Sequence, residues 1–348
     1  MKIFVIGGTG FIGAALMHHA REAGHETAVL QRPRSPPAGT LALIGDYASL
    51  PALAAEIGCF APDAIIDLWA MSGREAATVF AALGPHTGRY VVASSGDVYA
   101  NYGGMLRREK PFPRLGPLAE TSELRNARYP YRGPQPRRRN DPGAFLDDYD
   151  KLLVEEAAHK HLGARGTILR LPMVYGPGNR RPRFGGILQR MRDGRPAILV
   201  TEDHAAWHAT YGYVEDVAVG ILRAAEEPAA AGRTYNLGEP EATSWRGWVE
   251  AFAGVLGWSG EIVEVPAQGA PEHVAGLSMV YDLGYPLRLD TRRIRDELGY
   301  AEIAPPEHAL AETARFELAA PPPPGLRPQD TYREEDLFLA ELRQALRA

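Results

Sequence analysis

The chain has 348 residues, 45% hydrophobic and 23% charged, proportions that build a globular core and exclude disorder for its bulk. Basic residues number 38 and acidic residues 43, a net charge of −5, which disfavours general nucleic-acid or membrane-surface binding because both partners are anionic. A lone cysteine, Cys59, excludes an intrachain disulfide and a cysteine-based metal cluster. No apolar run is long enough to span a membrane. The short apolar stretch after Met1-Lys2 is too brief for a secretory signal. A soluble cytoplasmic protein is expected.

Ile3 to Ile6 is a continuous apolar run, as for a strand covered on both faces. The turn Gly7-Gly8-Thr9-Gly10-Phe11-Ile12-Gly13 follows it. From Phe11 to Ala23 apolar residues recur at helical spacing until Gly24 stops the helix. Thr27–Leu30, Ala64–Leu68 and Tyr90–Ser94 read as further strands with helices between them. Alternating strand and helix predicts an α/β fold with a Rossmann-type, doubly wound parallel sheet.

Residues 101–143 break the rhythm with glycines, prolines and Tyr129-Pro130-Tyr131-Arg132, and read as a long surface excursion. Within it Arg137-Arg138-Arg139 reads first as a solvated charged loop and second as an anion grip. Asp141-Pro142 carries the signature of a helix start, and the helix is expected to run to about His161. Thr167–Leu171 is another strand, ending at Pro172. The run Pro321–Pro324 reads as a stiff connector. A final amphipathic helix with Leu337, Phe338, Leu339 and Leu342 is expected to dock on the body.

A glycine-rich turn between strand and helix lets backbone approach a pyrophosphate, and the helix N-terminus offers its unpaired N–H groups to the anion. Gly8, Gly10 and Gly13 have the required spacing, as do Gly7, Gly10 and Gly13. The end of the second strand reads the adenosine ribose. There the sequence is Leu30-Gln31-Arg32-Pro33-Arg34, with no carboxylate and two arginines. This favours NADP, with NAD as the other option, since an arginine also stacks on adenine.

Taken together, the chain resembles the extended short-chain dehydrogenase/reductases, the NAD-dependent epimerase/dehydratase family. The resemblance rests on the glycine turn, Gly45-Asp46, Ser94-Ser95-Gly96-Asp97-Val98-Tyr99 and Leu169 to Gly178. It continues through Tyr213-Val214-Glu215-Asp216-Val217-Ala218 and Tyr235-Asn236-Leu237-Gly238. It implies cofactor contacts from Gly7, Thr9, Gly10, Phe11, Ile12, Gly13, Gln31, Arg32, Asp46, Leu68, Trp69, Ala70, Ser94, Lys151, Pro172, Met173 and Val174. It also implies a dinucleotide-binding domain of residues 1–172 with about 212–238. A smaller substrate domain comprises 173–211 and 239–348, tail included. The expected partners are a small-molecule substrate and a second copy of the chain.

Family catalysis uses Ser or Thr with Tyr-x-x-x-Lys, the tyrosine as acid/base and the lysine lowering its pKa and holding the nicotinamide ribose. Ser95 and Lys151 match; the tyrosine position is Asp147. On a continuous helix Asp147 and Lys151 share a face, as salt-bridge partners first and as base and ribose holder second, whereas Tyr149 points away. Tyr131, on the excursion, is another candidate. Asp97 falls where the sugar-nucleotide dehydratases carry a catalytic glutamate, and reads equally as a base and as a loop cap. The positions of the arginines that grip pyrophosphate in sugar-nucleotide members match Ala209 and fall near Val280; Arg180, Arg181 and Arg183 are the substitutes nearby. His204 and His208 have a metal-ligand spacing on a helix, but no third ligand is evident and no metal is expected.

The reading is an NAD(P)-binding enzyme that acts on a carbinol or ketone by redox, epimerisation or elimination. Its catalytic candidates are Ser95, Lys151, Asp147, Asp97 and Tyr131. The rival is a non-catalytic dinucleotide-binding sensor or scaffold.

Overall fold

The computed structural model describes residues 1–32, 40–138, 140–180, 182–319 and 327–345, with only the backbone of 328–330. Arg34, Arg139, Arg181 and the Pro321–Pro324 connector lie outside the described residues.

The first half alternates strand and helix as its pattern demands. Strands β1 (Lys2–Ile6), β2 (Glu26–Gln31), β3 (Leu41–Ile44), β4 (Ala64–Asp67), β5 (Arg89–Ser95) and β6 (Gly166–Leu171) join one parallel sheet. Thr234–Asn236 pairs with β6 and completes it, in the order Thr234–Asn236, β6, β5, β4, β1, β2, β3. Apolar runs such as Ile3–Ile6 are buried because helices cover both faces. Helices α1 (Phe11–Glu22), α2 (Ala54–Phe60), α3 (Gly73–Leu83), α4 (Ala100–Met105) and α5 (Lys151–Leu162) follow in chain order. On one face α3 and α5 pack together over Phe4, Ile65 and Val92. On the other, α1 packs beside the helix Val214–Glu226 over Ile3, Val29 and Val91.

The remaining chain forms a smaller region beyond the C-terminal ends of the strands, with α6 (Gly185–Arg192), helices Trp245–Leu256 and Glu272–Val280, and the two-stranded parallel sheet of Ala197–Thr201 with Glu261–Val265. The last helix, Pro328–Ala345, buries Leu339 against Ala197, Leu199 and Val265, with Phe338 and Leu342 alongside, as its stripe predicts. Leu337 departs from the stripe and is exposed. Among the described residues no helix is long and apolar enough to cross a membrane.

Strand β3, the four-residue apolar run Leu41-Ala42-Leu43-Ile44, was not among the expected strands; it lies at the sheet edge with two of its residues exposed. One expectation is corrected here. The helix expected from Asp141 to His161 is broken: Ala144–Asp147 is one 3-10 turn, and α5 begins only at Lys151. Asp141 accepts from Gly143 N at 2.6 Å in a local turn. Asp150 is pinned in extended conformation, φ −160° and ψ 106°, because it is the N-cap of α5 and accepts from Leu152 N. The same carboxylate pairs with the fully buried Arg125 guanidinium at 2.7 Å and accepts from Tyr129 N at 2.8 Å.

Candidate active site

The glycine turn lies between β1 and α1. Gly7 has φ +88°, a conformation that suits glycine alone among common residues. A Cβ on Gly13 would meet Gly7 O at 2.1 Å and Gly8 Cα at 2.6 Å, so α1 starts directly on the turn's backbone. Gly10 is the N-cap, with no side-chain cap and no acidic residue in the first helical turn. The first N–H groups, on Phe11, Ile12 and Gly13, are thus left for an anion. Thr9 is exposed at the tip. Leu68 Cβ lies 3.3 Å from where a Gly7 Cβ would stand, and Trp69 Cβ 3.9 Å. These features fit a dinucleotide's pyrophosphate.

Around this turn, Gln31 is buried and Arg32 is exposed at the end of β2. Asp46 caps a 3-10 turn by accepting from Ser49 N at 3.0 Å. Trp69 is half exposed, its ring 6.1 Å from that of Phe145. Pro172 and Met173 line the cavity described below, and Val174 is buried behind them. The Ser94 hydroxyl donates to Glu155 at 2.5 Å, which Arg170 also engages, so this side chain belongs to a buried network.

The C-terminal end of β5 brings the polar groups together. Asp97 N donates to Ser95 Oγ at 3.2 Å, which fixes the turn after the strand. The Tyr149 hydroxyl donates to Asp97 Oδ2 at 2.6 Å, beside Ser95. Tyr131 OH donates to the same oxygen at 3.5 Å and pairs with Tyr102 OH at 2.5 Å. Asp97 Oδ1 is buried with no hydrogen-bond partner among the described residues. Lys151 is buried behind this set. Its Nζ donates to Ala70 O at 2.7 Å and Ala93 O at 2.8 Å, which leaves one of three protons. The ammonium lies 5.7 Å from the Tyr149 ring centroid.

Burial sets the protonation of the set. It raises Asp97 above the usual carboxylate range, against the opposing pull of Tyr149, Arg125 and Lys151. Burial and then the neighbouring Asp97 carboxylate raise the Tyr149 and Tyr131 phenols well above theirs. Burial lowers Lys151 to about 8, although Asp97, Asp67 and Glu155 favour its charged form.

The placement of Asp147 is corrected. It ends the 3-10 turn, outside α5, with its carboxylate on the Arg137 guanidinium and, at 2.6 Å, on Arg137 N. Tyr149, expected on the far side of a helix, instead precedes α5 and enters the cluster. The legible signal was Asp150 as an N-cap before Leu152 and Leu153, which moves the helix start past Tyr149. Tyr102 was also missed, and no local pattern marks it.

A cavity of about 570 Å³ opens onto Ser95, Asp97 and Tyr131. Its outer walls carry Trp207, Tyr211, Trp245 and Tyr281. His204 also lines it, stacked on Trp245 with centroids 4.7 Å apart, and burial lowers it to about 4. His204 lies in a short helix and His208 in a strand, so the helical metal-ligand spacing does not apply.

The model of the NAD dependent epimerase/dehydratase family matches residues 3–122 and 148–238. The chain is 25% identical over 286 residues to the 2'-dehydrokanamycin reductase of Streptomyces kanamyceticus, covering 79% of this chain and 72% of that protein. Its fold is similar to the UDP-glucose 4-epimerase of Thermotoga maritima with UDP-glucose, at 18% identity and a TM-score of 0.63, over 92% of this chain and 99% of that one. It is equally similar in fold to the UDP-glucose 4-epimerase of Thermus thermophilus with NAD, at 19% identity and a TM-score of 0.62, over 92% and 100% of the two chains. With its seven-stranded parallel sheet, its glycine turn and most of its length matched by the family model, the chain belongs to the NAD dependent epimerase/dehydratase family.

Proposed function

We propose that the protein is an NAD(P)-linked oxidoreductase that interconverts a carbinol and a ketone on a small molecule, with Tyr149 moving the proton. The observation that carries this is the hydrogen-bonded set of Ser95, Asp97 and Tyr149, of which Ser95 and Asp97 line the polar end of the cavity while Tyr149 lies just behind them on Asp97, backed by Lys151. A bound nicotinamide supplies or accepts the hydride. Ser95 Oγ donates to the substrate oxygen. Tyr149 gives that oxygen its proton on reduction and takes it back on oxidation. Asp97 holds the phenol in place through the 2.6 Å hydrogen bond and accepts from Tyr149 between turnovers. The Lys151 ammonium stabilises the phenolate that forms, and its remaining proton is the one for the nicotinamide ribose. Residues Gly7 to Gly13 hold the pyrophosphate, and Pro172 and Met173 present backbone to the nicotinamide. That one relative is named a reductase supports the redox reading.

The test is a turnover screen of carbonyl substrates with NADPH and NADH. Tyr149→Phe should lower turnover about 10²–10⁴-fold while cofactor affinity holds. Wild-type-like turnover in that variant removes Tyr149 from the chemistry, and no turnover with any carbonyl favours a binding protein. We further propose NADP over NAD. The support is an exposed Arg32 at the end of β2 and no carboxylate beside it. Arg32→Ala should narrow the affinity difference about tenfold or more. Equal wild-type affinities for the two cofactors would overturn the preference.

A further inference from the structure

Two large aromatic rings stand exposed beside the glycine turn, and each is fixed from behind. Trp69 follows β4 and is 46% exposed; Phe145 belongs to the 3-10 turn Ala144–Asp147 and is 39% exposed. Their centroids are 6.1 Å apart and their planes are inclined at 40°, so the rings meet at an angle and each keeps surface open to solvent. Asp67, fully buried, holds the Trp69 side. Its carboxylate accepts from Trp69 N at 2.9 Å, from Ala70 N at 3.0 Å and from the Tyr47 hydroxyl at 2.8 Å. Charged groups hold the Phe145 side. Arg137 pairs with the Asp147 carboxylate through its guanidinium and donates to it from its backbone N at 2.6 Å, and Arg132 Nε donates to Asp147 O at 2.7 Å. Apolar surface already held in place loses little freedom when a ligand covers it.

The sheet order says which part of a ligand that is. Strand β1 carries the glycine turn, with β2 on one side and β4 on the other. With the pyrophosphate on the turn and the adenosine toward Arg32 at the end of β2, the nicotinamide half runs the other way, over the ends of β4 and β5. Trp69 borders that path, its Cβ 3.9 Å from where a Gly7 Cβ would stand. Phe145 meets Trp69 from the long excursion. It lies in residues 123–147, between the two stretches that the family model matches, so the resemblance gives it no role.

We propose that Phe145 is a cofactor-binding residue, and that with Trp69 it forms an aromatic clamp on the nicotinamide-ribose half of the dinucleotide. The proposal rests on the NAD(P) reading for the identity of the ligand. The clamp takes no part in proton or hydride movement; it covers apolar surface of both rings and slows departure of the bound cofactor.

The test is binding to the full chain, without turnover. NADPH and NADH are titrated by calorimetry, and the tighter of the two is compared with its adenosine half alone, 2′,5′-ADP or AMP. Phe145→Ala should weaken the dinucleotide roughly five- to thirtyfold, mostly through faster release in stopped-flow traces, the range expected when an aromatic contact is lost. Affinity for the adenosine half should stay at the wild-type value. Phe145→Tyr keeps the ring and should restore the dinucleotide affinity. Trp69→Leu cuts the clamp from the other side, should show the same selective loss, and decides the matter even where Phe145→Ala does not fold. Unchanged dinucleotide affinity in the folded variants, or an equal loss for the dinucleotide and its adenosine half, overturns the clamp and leaves the NAD(P) reading standing. Wild type that binds neither NADPH nor NADH overturns that reading and the clamp with it.

Discussion

At the scale of single residues, protonation and pairing distinguish the groups that act from those that only hold. Asp147 sits on the Arg137 guanidinium at a partly exposed site. Asp147→Asn should therefore leave turnover nearly unchanged and lower stability by about 1 kcal/mol or less in urea titrations. A large turnover loss in that variant would return Asp147 to the catalytic set. Lys151 gives a pH signature. Its pKa falls from an ordinary 10.5 to about 8 because folding buries the ammonium. Between those values the unfolded chain holds the proton and the folded chain does not, so stability gains as pH rises through that window. Below about 8 both states are protonated and the burial penalty is fully present. Lys151→Met has no such term. Wild type should thus gain on Lys151→Met from pH 8 to 10.5 in denaturant titrations at each pH. A constant difference would show that Lys151 is not depressed.

At the scale of elements, the turn from β1 to α1 serves two purposes that substitution separates. A Cβ at Gly13 meets backbone at 2.1 and 2.6 Å, so Gly13→Ala must push α1 off the turn. The expected cost is about 1–3 kcal/mol of stability, together with loss of dinucleotide binding. At Gly10 the nearest atom to a built Cβ is Gly7 O at 3.2 Å, and the remaining space is open. Gly10→Val should therefore melt close to wild type yet lose binding, because its side chain fills the pyrophosphate cradle. Thermal melts beside NADPH titrations read both effects. Undiminished NADPH affinity in Gly10→Val would place the cofactor elsewhere.

At the scale of the whole molecule, the last helix ties the C-terminal region together. Glu335, 1% exposed, pairs with the buried Arg190 and accepts from His273 Nε2 at 2.9 Å. His273 stands on the helix Glu272–Val280, whose Leu277 lines the cavity. One carboxylate thus links the final helix, α6 and a cavity wall. Glu335→Ala leaves the Arg190 guanidinium buried with Gly186 O and Thr331 Oγ1 as hydrogen-bond partners but no carboxylate, and should cost about 3–5 kcal/mol. The melting temperature measures this, and an unchanged value would mean that the last helix is not integral to the fold.

The sequence by itself determined the dinucleotide-binding half. There the signals are local: an apolar run, a glycine turn and a helical stripe are contiguous, and each element's period specifies its own structure. It also determined the family and picked out Ser95, Asp97 and Lys151, though it set Lys151 inside a longer helix rather than at the start of α5. Only the tertiary structure decided which acid/base candidate joins them. Asp150 is locked extended by Arg125 and by the Tyr129 amide, partners 25 and 21 residues away. That lock makes α5 begin only at Lys151, turns Tyr149 onto Asp97 and leaves Asp147 to Arg137. The cavity walls were equally beyond local reading. Trp207, Trp245 and Tyr281 come from separate segments with no shared motif, and only folding brings their rings around one space.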